Sequence, residues 1–474
     1  MSVNKHEIWE YVEKIEEQFH NLSDRVWETP ETCYMEHKSM KAHISELENN
    51  QFRVTKGIAG IPTAFIGEAG SGGPVIAFLG EFDALSGLSQ FPDVFRKKAL
   101  QDGGNGHGCG HNLLGSAALQ AAVALKNWMA VTKTIGTVRY YGCPAEEGGA
   151  AKTFMVRENA FSDVDVAITW HPGCIAGVVK GSSLANCRVD FTFEGKASHA
   201  AGAPHLGRSA LDAVELMNIG VNYMREHMPD KARIHYAIID AGGISPNVVQ
   251  AKAHVRYVVR DETTTKMLDL LSRVKKVAKG ASLMTETKLK SKVLAGVSNL
   301  IYNPTLGSVM QRNLDLIGPP QYSEEDYKYA AKMQATLDKK DVENTFLQAG
   351  IEPISGQTLG DRIIPENANI IGMGGSTDVS DVSWVVPTVQ LWGANYVIGT
   401  PFHSWQMTAQ GKSAIAKKGM THAAMAMAST AYDVLQSEEI RTSAWEDLQK
   451  VLKTQSYVLP ISAKSLPPIK EMAT

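Results

Sequence analysis

The sequence contains few cysteines and no long apolar run, and both absences narrow the class of protein. The five cysteines are odd in number and irregularly spaced, which is typical of free thiols or metal ligands in a reducing compartment and not of a disulfide framework. No apolar stretch has the length that a bilayer-spanning helix needs. The first residues also lack the basic and apolar segments of a secretory signal. The sequence therefore predicts a cytoplasmic protein without a membrane anchor.

An excess of charge of one sign is lacking as well. The formal net charge is −3, so no strong field favours binding to nucleic acid or to an anionic membrane surface. Charged residues make up 20% and hydrophobic residues 44% of the chain, as in an ordinary globular protein. Because 474 residues exceed what one compact core usually holds, we expect two domains.

Short apolar runs alternate with helical patterns in the first part of the chain. Two helices are expected over residues 7–50, with a break at Pro30, and residues 113–129 form an Ala- and Leu-rich pattern typical of a buried helix. Buried strands are predicted at residues 74–80, 136–142 and 164–170. Strands that alternate with helices predict an α/β fold built on a doubly wound, mostly parallel sheet.

The pattern changes near residue 186, where polar and apolar residues begin to alternate as in a half-exposed antiparallel strand. The elements that follow are predicted in the order strand, helix, strand, strand, helix, strand, which indicates an α+β domain of the ferredoxin-like type. We therefore expect a main domain at residues 1–185 and 300–474 and an inserted domain at 186–299. The charged helical segment 320–340 is interpreted as a surface elaboration.

Several side chains that suit metal chemistry stand in loops, most of them directly after predicted strands. Taken singly, each has an ordinary explanation: a glycine loop with a buried cysteine, a solvated acidic turn, or a hydrogen-bonded histidine at a strand end. Ligands of open α/β sheets bind at the carboxyl ends of the strands. If these side chains come together there, they would supply the N, O and S donors and the base of a two-metal centre. The residues are Cys109, His111, Glu146, Glu147, His171 and His403.

The order and spacing of these motifs resemble a known family. Glu-Phe-Asp-Ala-Leu at 81–85, Gly-Cys-Gly-His at 108–111, Glu-Glu-Gly-Gly at 146–149, His-Pro at 171–172, His-Ala-Ala at 199–201 and His-Ser at 403–404 occur in this order. They resemble the amidohydrolase branch of the aminoacylase and carboxypeptidase G metallopeptidases, which includes the plant indole-acetyl-amino-acid hydrolases. The resemblance extends from about residue 15 to residue 435.

The resemblance implies a zinc-peptidase-like main domain that binds two divalent ions, manganese or zinc. It implies metal ligation by Cys109, His111, Glu147, His171 and His403. Cys109 takes the position of the bridging ligand, Glu146 that of the general base, and Asp83 that of the acidic residue that orients a ligand.

The resemblance also assigns roles to the inserted domain, as a lid and dimerisation domain. His199 matches a histidine that reaches the active site of a dimer partner and hydrogen-bonds the developing oxyanion. Asn247 and Arg260 match positions that bind the carboxylate or carbonyl oxygen of the substrate. The expected protein is thus an amidohydrolase of N-acyl amino acids that forms a homodimer or pairs with a related subunit.

Within the branch, residues 105–115, 152–158 and 204–214 resemble the p-aminobenzoyl-glutamate-hydrolysing type, which shares the unusual Glu81 and Asn112. The expected substrate is p-aminobenzoyl-glutamate or a similar acyl-glutamate or acyl-aspartate, with a dipeptidase or aminoacylase activity as an alternative. A non-catalytic or regulatory subunit is a second alternative, disfavoured because every proposed ligand and the base are present. A nucleotide-binding enzyme is disfavoured because the glycine-rich phosphate-binding motifs are missing.

Overall fold

A computed structural model describes residues 6–370 and 375–472 of the chain. The helices are α1 (His6–Glu13), α2 (Glu16–Trp27), α3 (His37–Asn49), α4 (His111–Thr132), α5 (Ala151–Arg157), α6 (Ala210–Met224), α7 (Thr264–Met284), α8 (Pro304–Ile317), α9 (Glu324–Gln334), α10 (Lys339–Ala349), α11 (Val379–Ser383), α12 (Trp405–Gln410), α13 (Ala414–Gln436), α14 (Glu438–Leu452) and α15 (Ile469–Met472). The strands are β1 (Arg53–Lys56), β2 (Phe65–Ser71), β3 (Val75–Glu81), β4 (Gly136–Cys143), β5 (Val166–His171), β6 (Gly177–Val178), β7 (Ala185–Glu194), β8 (Arg233–Asp240), β9 (Lys252–Asp261), β10 (Lys288–Val297) and β11 (Thr388–Trp392).

The larger sheet has seven strands in the order β1-β2-β4-β3-β5-β11-β6. Its four central strands, β4, β3, β5 and β11, are parallel, and antiparallel strands complete both edges. One face of the sheet packs against α4 and α13, and the other face packs against α5 and α11. The central strands are buried on both faces, which explains their continuous apolar composition. The predicted doubly wound, mostly parallel sheet is confirmed.

The parallel strands determine where the polar side chains of the main domain meet. β3 ends at Glu81, β4 ends at Cys143 and β5 ends at His171, so the loops that follow them leave the sheet at the same edge. The helix α4 begins at His111 beside that edge and returns across the sheet. This edge is where a ligand site is expected in an open α/β sheet.

The smaller sheet has four antiparallel strands in the order β10-β7-β9-β8. The helices α6 and α7 cover one of its faces and bury the apolar residues of the strands. Its elements follow one another as strand, helix, strand, strand, helix and strand, the order predicted for a ferredoxin-like unit. The exact domain boundaries at residues 186 and 299 stay predictions.

The structure differs from the sequence-based expectation in several helices. Three helices, not two, precede β1, because a turn at residues 14–15 separates α1 from α2. The buried side chains of Val12 and Phe19 lie on either side of this turn, so the apolar periodicity did not reveal it. The break at Pro30 lies between α2 and α3 as predicted. A short additional helix, α12, begins at Trp405 in the loop that precedes α13.

The charged segment near residue 330 forms α9 and the start of α10, and it is more than a surface elaboration. Ala330 and Met333 of α9 are buried against Val397, Ala409 and Ile415. The segment therefore supports the chain on both sides of the loop that carries His403. Among the described residues, no helix is both long and apolar enough to cross a membrane.

Candidate metal centre

Cys109 and His111 are positioned by a tight turn at the start of α4. Gly110, between them, has a φ of 78°, a backbone conformation that side chains with a Cβ rarely adopt. A Cβ at Gly110 would lie 2.4 Å from the hydroxyl of Tyr396, so a larger residue would collide with its neighbour. The glycine therefore allows two donor side chains, separated by one residue, to face the same point.

Asp83 joins two of the segments that form the centre. Its Oδ1 accepts a hydrogen bond from Nδ1 of His111 at 2.9 Å, and its Oδ2 accepts one from the backbone N–H of Glu147 at 2.9 Å. With Nδ1 donating to Asp83, the neutral ring of His111 would have its lone pair on Nε2, the atom available to a metal ion. The predicted orienting role of Asp83 is consistent with this geometry.

The imidazoles of His171 and His403 lie close to the other donor side chains. Nδ1 of His171 donates to the carbonyl of Pro172 at 2.9 Å, and its Nε2 lies 3.5 Å from the sulfur of Cys109. Nε2 of His403 lies 3.4 Å from Oε2 of Glu147. His111 and His171 thus each donate from Nδ1 to a carboxylate or a carbonyl oxygen, which is the usual arrangement of metal-ligating histidines.

The donor atoms form three overlapping groups in which all atoms lie within 4.8 Å of one another. The groups are Cys109 with His111 and His171, Cys109 with Glu147 and His403, and Glu81 with His111 and Glu146. The first two groups share the sulfur of Cys109, as two ions with one bridging ligand would require. The structure thus brings all five sequence-predicted ligands and the predicted base together.

Two buried donor atoms of the centre lack a hydrogen-bond partner among the described residues. They are Nε2 of His111 and Oε1 of Glu147. Buried polar atoms are almost always hydrogen-bonded, and a metal ion satisfies a lone pair in the same way. Thiolate, imidazole and carboxylate are together the ligands of zinc and similar divalent ions. The residues present therefore fit a divalent metal centre.

The electrostatics of the centre also favour a cation. Burial raises the pKa of Glu146 well above its usual range, and the charges of Glu81 and Glu147 raise it further. Burial lowers the pKa of His111, but Cys109 and Asp83 outweigh burial and raise it well above its usual value. Buried negative charges of this density need positive charge nearby.

Sequence reasoning missed a buried cation beneath the centre. The ammonium group of Lys152 lies 2.6 Å from Oε1 of Glu81 and 2.5 Å from Oδ1 of Asp378, and none of the three side chains is more than 3% exposed. Burial lowers the pKa of Lys152, but Asp378 and Glu81 raise it well above its usual value. In sequence Lys152 is one lysine of a short helix, and no local signal distinguishes it from an exposed one.

Of the residues predicted on the inserted domain, Arg260 alone lies near the centre of its own chain. Its guanidinium donates to the hydroxyl of Ser376 at 2.7 Å. Burial lowers the pKa of Arg260, as does the charge of Arg188, and the charge of Glu146 partly offsets them. The structure therefore places Arg260 within electrostatic reach of the predicted base.

His199 and Asn247 lie together at the other end of the smaller sheet. Both are exposed, and the backbone carbonyl of Asn247 accepts a hydrogen bond from Ala200 at 3.0 Å. Asn247 precedes β9 and Arg260 lies near its end, so a strand length of ~26 Å, at ~3.3 Å per residue, separates them. One chain cannot bring Asn247 and Arg260 to the same carboxylate.

Comparisons with known proteins agree with this architecture. Residues 182–283 match the family model of the peptidase dimerisation domain of the M20 peptidases. The chain is 43% identical to one of the subunits of p-aminobenzoyl-glutamate hydrolase from Escherichia coli strain K12, over 97% of this chain and 98% of that protein. Among solved structures, an aminobenzoyl-glutamate utilization protein of Klebsiella pneumoniae has a TM-score of 0.57 at 16% identity, covering 87% and 97% of the two chains. A dinuclear metal-binding peptidase of the M20 family from Bacillus subtilis has a TM-score of 0.53 at 17% identity, covering 89% and 99%.

The fold and the donor cluster define a hydrolase of the metallopeptidase class that acts on amide bonds. The chain belongs to the M20 peptidase family, in the group that contains this p-aminobenzoyl-glutamate hydrolase. The amidohydrolase assignment made from the motifs is thereby confirmed, and a nucleotide-binding enzyme is not supported.

Proposed function

We propose that the chain hydrolyses the amide bond of p-aminobenzoyl-glutamate or a closely similar N-acyl glutamate or aspartate. The observation that carries the proposal is the pair of donor groups that share Cys109, with Glu146 beside them. The relative with 43% identity over nearly its whole length has the name of this activity. The few, irregularly spaced cysteines favour a reducing, cytoplasmic location.

In this proposal one ion would be held by Cys109, His111 and His171, and the other by Cys109, Glu147 and His403. When bound, the ions would supply Lewis-acid activation of a water molecule and of the amide carbonyl. The choice between manganese and zinc is not fixed by these five ligands, since thiolate and imidazole suit zinc and carboxylate suits both.

Glu146 is the proposed general base. It is buried beside the donor groups, with its Oε2 4.0 Å from Nε2 of His111. The carboxylate takes a proton from the attacking water as the water oxygen bonds to the amide carbon. It then returns the proton to the nitrogen as the carbon–nitrogen bond breaks. A carboxylate with a pKa raised by burial accepts a proton more readily than an exposed one.

Arg260 is proposed to bind a carboxylate of the substrate. Its guanidinium can form two parallel hydrogen bonds with a carboxylate, and the hydrogen bond to Ser376 and the charge effect of Glu146 support a position near the centre of the same chain. Hydrolysis of an acyl-glutamate or acyl-aspartate requires such a contact to distinguish these substrates from neutral amides.

His199 and Asn247 are proposed to act in the centre of a second subunit. The Nδ1 atom of His199 accepts hydrogen bonds from the backbone N–H groups of Ala201 and Gly202 at 3.2 and 2.9 Å. This leaves the proton of the neutral ring on Nε2, which can then donate to a developing oxyanion. The match to a dimerisation domain supports an oligomer, formed either with a second copy or with a related subunit.

The activity is tested by assaying purified protein, reconstituted with manganese and separately with zinc, against N-acyl glutamates, N-acyl aspartates and dipeptides. We expect the highest kcat/KM for p-aminobenzoyl-glutamate. The Glu146→Gln variant should bind metal normally but lose at least ~100-fold in kcat. A wild-type protein that binds two ions but cleaves none of the panel would instead support a non-catalytic subunit.

The shared site is tested by mixing two inactive variants, Glu146→Gln and His199→Ala, after reversible dissociation. If each centre uses Glu146 of one chain and His199 of the other, every mixed dimer contains one complete centre. Random mixing of equal amounts makes about one half of the dimers mixed. Each mixed dimer has one complete centre out of two, so about a quarter of wild-type activity should return by this count. A His199 that serves its own chain would restore none.

A further inference from the structure

We propose that Glu81 is an additional ligand of the metal centre, and that Lys152 and Asp378 hold its carboxylate in the ligating position. The inference rests on the proposed two-metal function and adds a residue to the ligand set. Glu81 is the last residue of β3, at the edge of the sheet where the other donors converge.

The position of the Glu81 carboxylate carries the proposal. Its Oε2 lies 3.3 Å from Nε2 of His111, and Glu146 contributes a second oxygen donor to the same group. Nε2 of His111 is fully buried and forms no hydrogen bond with the described residues. The group is therefore more than a set of acidic residues, because an unpartnered imidazole nitrogen points into it.

In the neutral imidazole that a metal ion would bind, Nδ1 of His111 donates to Asp83 and Nε2 has a lone pair. This lone pair lies 3.3 Å from Oε2 of Glu81, so the two atoms need positive charge between them, which the ion would supply. An ion bound to Nε2 of His111 would face Glu81 through the same nitrogen. Oε2 of Glu81 would then add an oxygen donor to the centre, from the group that Glu81 forms with His111 and Glu146.

The ion pair with Lys152 fixes the orientation of the Glu81 carboxylate. Lys152 binds only Oε1, at 2.6 Å, and leaves Oε2 directed toward His111. Asp378 fixes Lys152 twice, because its two oxygens accept from the ammonium at 2.5 Å and from the backbone N–H at 2.9 Å. The carboxylate of Glu81 therefore spans the distance between a buried cation and the centre.

The length of the glutamate side chain matters for this span. An aspartate at position 81 keeps the charge but is shorter by one carbon–carbon bond of about 1.5 Å. It could contact Lys152 or the centre, but not both. An additional oxygen donor also makes the centre more favourable for manganese relative to zinc.

The test is metal binding to stripped protein, measured by elemental analysis after dialysis and by competition with a chromogenic chelator. We expect two manganese ions per wild-type chain. Glu81→Gln and Glu81→Asp should each weaken one of the two sites by about 10- to 100-fold, as changes around metal ligands commonly do. Zinc should be weakened less than manganese, because the remaining thiolate and imidazoles favour zinc.

Glu46→Gln is the matched control, because Glu46 is also a mostly buried, ion-paired glutamate, on α3 and outside the donor groups. It should bind both ions with wild-type affinity. Circular dichroism verifies that the variants are folded, and Glu81→Asp keeps the test informative if removal of the charge prevents folding.

The outcomes separate this inference from the proposed function. Two ions bound by Glu81→Gln with wild-type affinities would overturn the role of Glu81 and leave the two-metal proposal intact. Wild-type protein that binds no divalent ion would overturn both. Selective loss of one manganese ion in both Glu81 variants, with Glu46→Gln unchanged, supports Glu81 as a ligand.

Discussion

Lys152→Met should destabilise the protein more than most single substitutions. The change keeps a long apolar side chain but removes the ammonium group that contacts the buried carboxylates of both Glu81 and Asp378. Removing one partner of a buried ion pair typically costs ~3–5 kcal/mol, because the remaining charges are left uncompensated. Because Lys152 is fully buried, screening by solvent does not reduce this cost.

The loss is measured as a shift in the urea midpoint, followed by tryptophan fluorescence in the presence of a chelator so that metal binding does not contribute. With an m-value of about 3 kcal/mol per M or more for a chain of this size, the midpoint should fall by about 1 M. Lys126→Met is the control, since Lys126 is a partly exposed lysine whose ammonium contacts Asn127. That change should stay within ~0.5 kcal/mol of wild type.

The destabilisation should also depend on pH. Burial raises the pKa of Asp378, and Lys152 partly offsets the rise. Without the lysine the folded-state pKa rises further above the unfolded value of ~3.9. Relative to wild type, the variant should lose little stability below that pH and progressively more as the pH rises through the folded-state pKa. A Lys152→Met midpoint equal to that of Lys126→Met across this range would refute the buried charge cluster.

Three further substitutions test individual contacts. The side chain of Asp83→Asn cannot accept hydrogen bonds from both His111 and the Glu147 N–H. Metal affinity should therefore fall about 10- to 100-fold in a chelator competition assay. Unchanged affinity would show that Asp83 does not orient His111 for metal binding. Cys109→Ala removes the donor common to two groups, so elemental analysis should find fewer than two ions per chain, whereas full stoichiometry would exclude Cys109 as a ligand. Arg260→Met should lower kcat/KM for acyl-glutamates by about 10- to 100-fold, the value of a charged hydrogen bond, without changing metal content; an equal loss on neutral amides would argue against carboxylate recognition.

The fold and the donor set could be predicted from sequence for related physical reasons. Buried parallel strands are continuous apolar runs, and their carboxyl ends meet at one edge. Glu147 and His171 each follow such a run, so their convergence follows from topology. The edge strand β1 and its neighbour β2 were missed because partly exposed strands lack that pattern.

The contacts of Lys152 and Glu81 could not be predicted in the same way. They depend on Asp378, more than 200 residues away along the chain, and on burial that no local pattern encodes. The distant position of His199 had no local signal either, because exposed loop residues at the end of a sheet look alike in sequence. Topology could thus predict the donors, whereas the charges that hold them in place required coordinates.

The charge balance of the centre explains why metal binding and folding should reinforce each other in this chain. Glu146 and Glu147 are buried beside Glu81, and burial raises the pKa of both. The one buried ammonium in the described part of the centre, from Lys152, is already used by Glu81 and Asp378. Divalent ions would supply the missing positive charge while ligating the unpartnered nitrogen of His111. Because the unfolded chain cannot present these distant donors together, each ion would stabilise the folded state in proportion to its binding free energy.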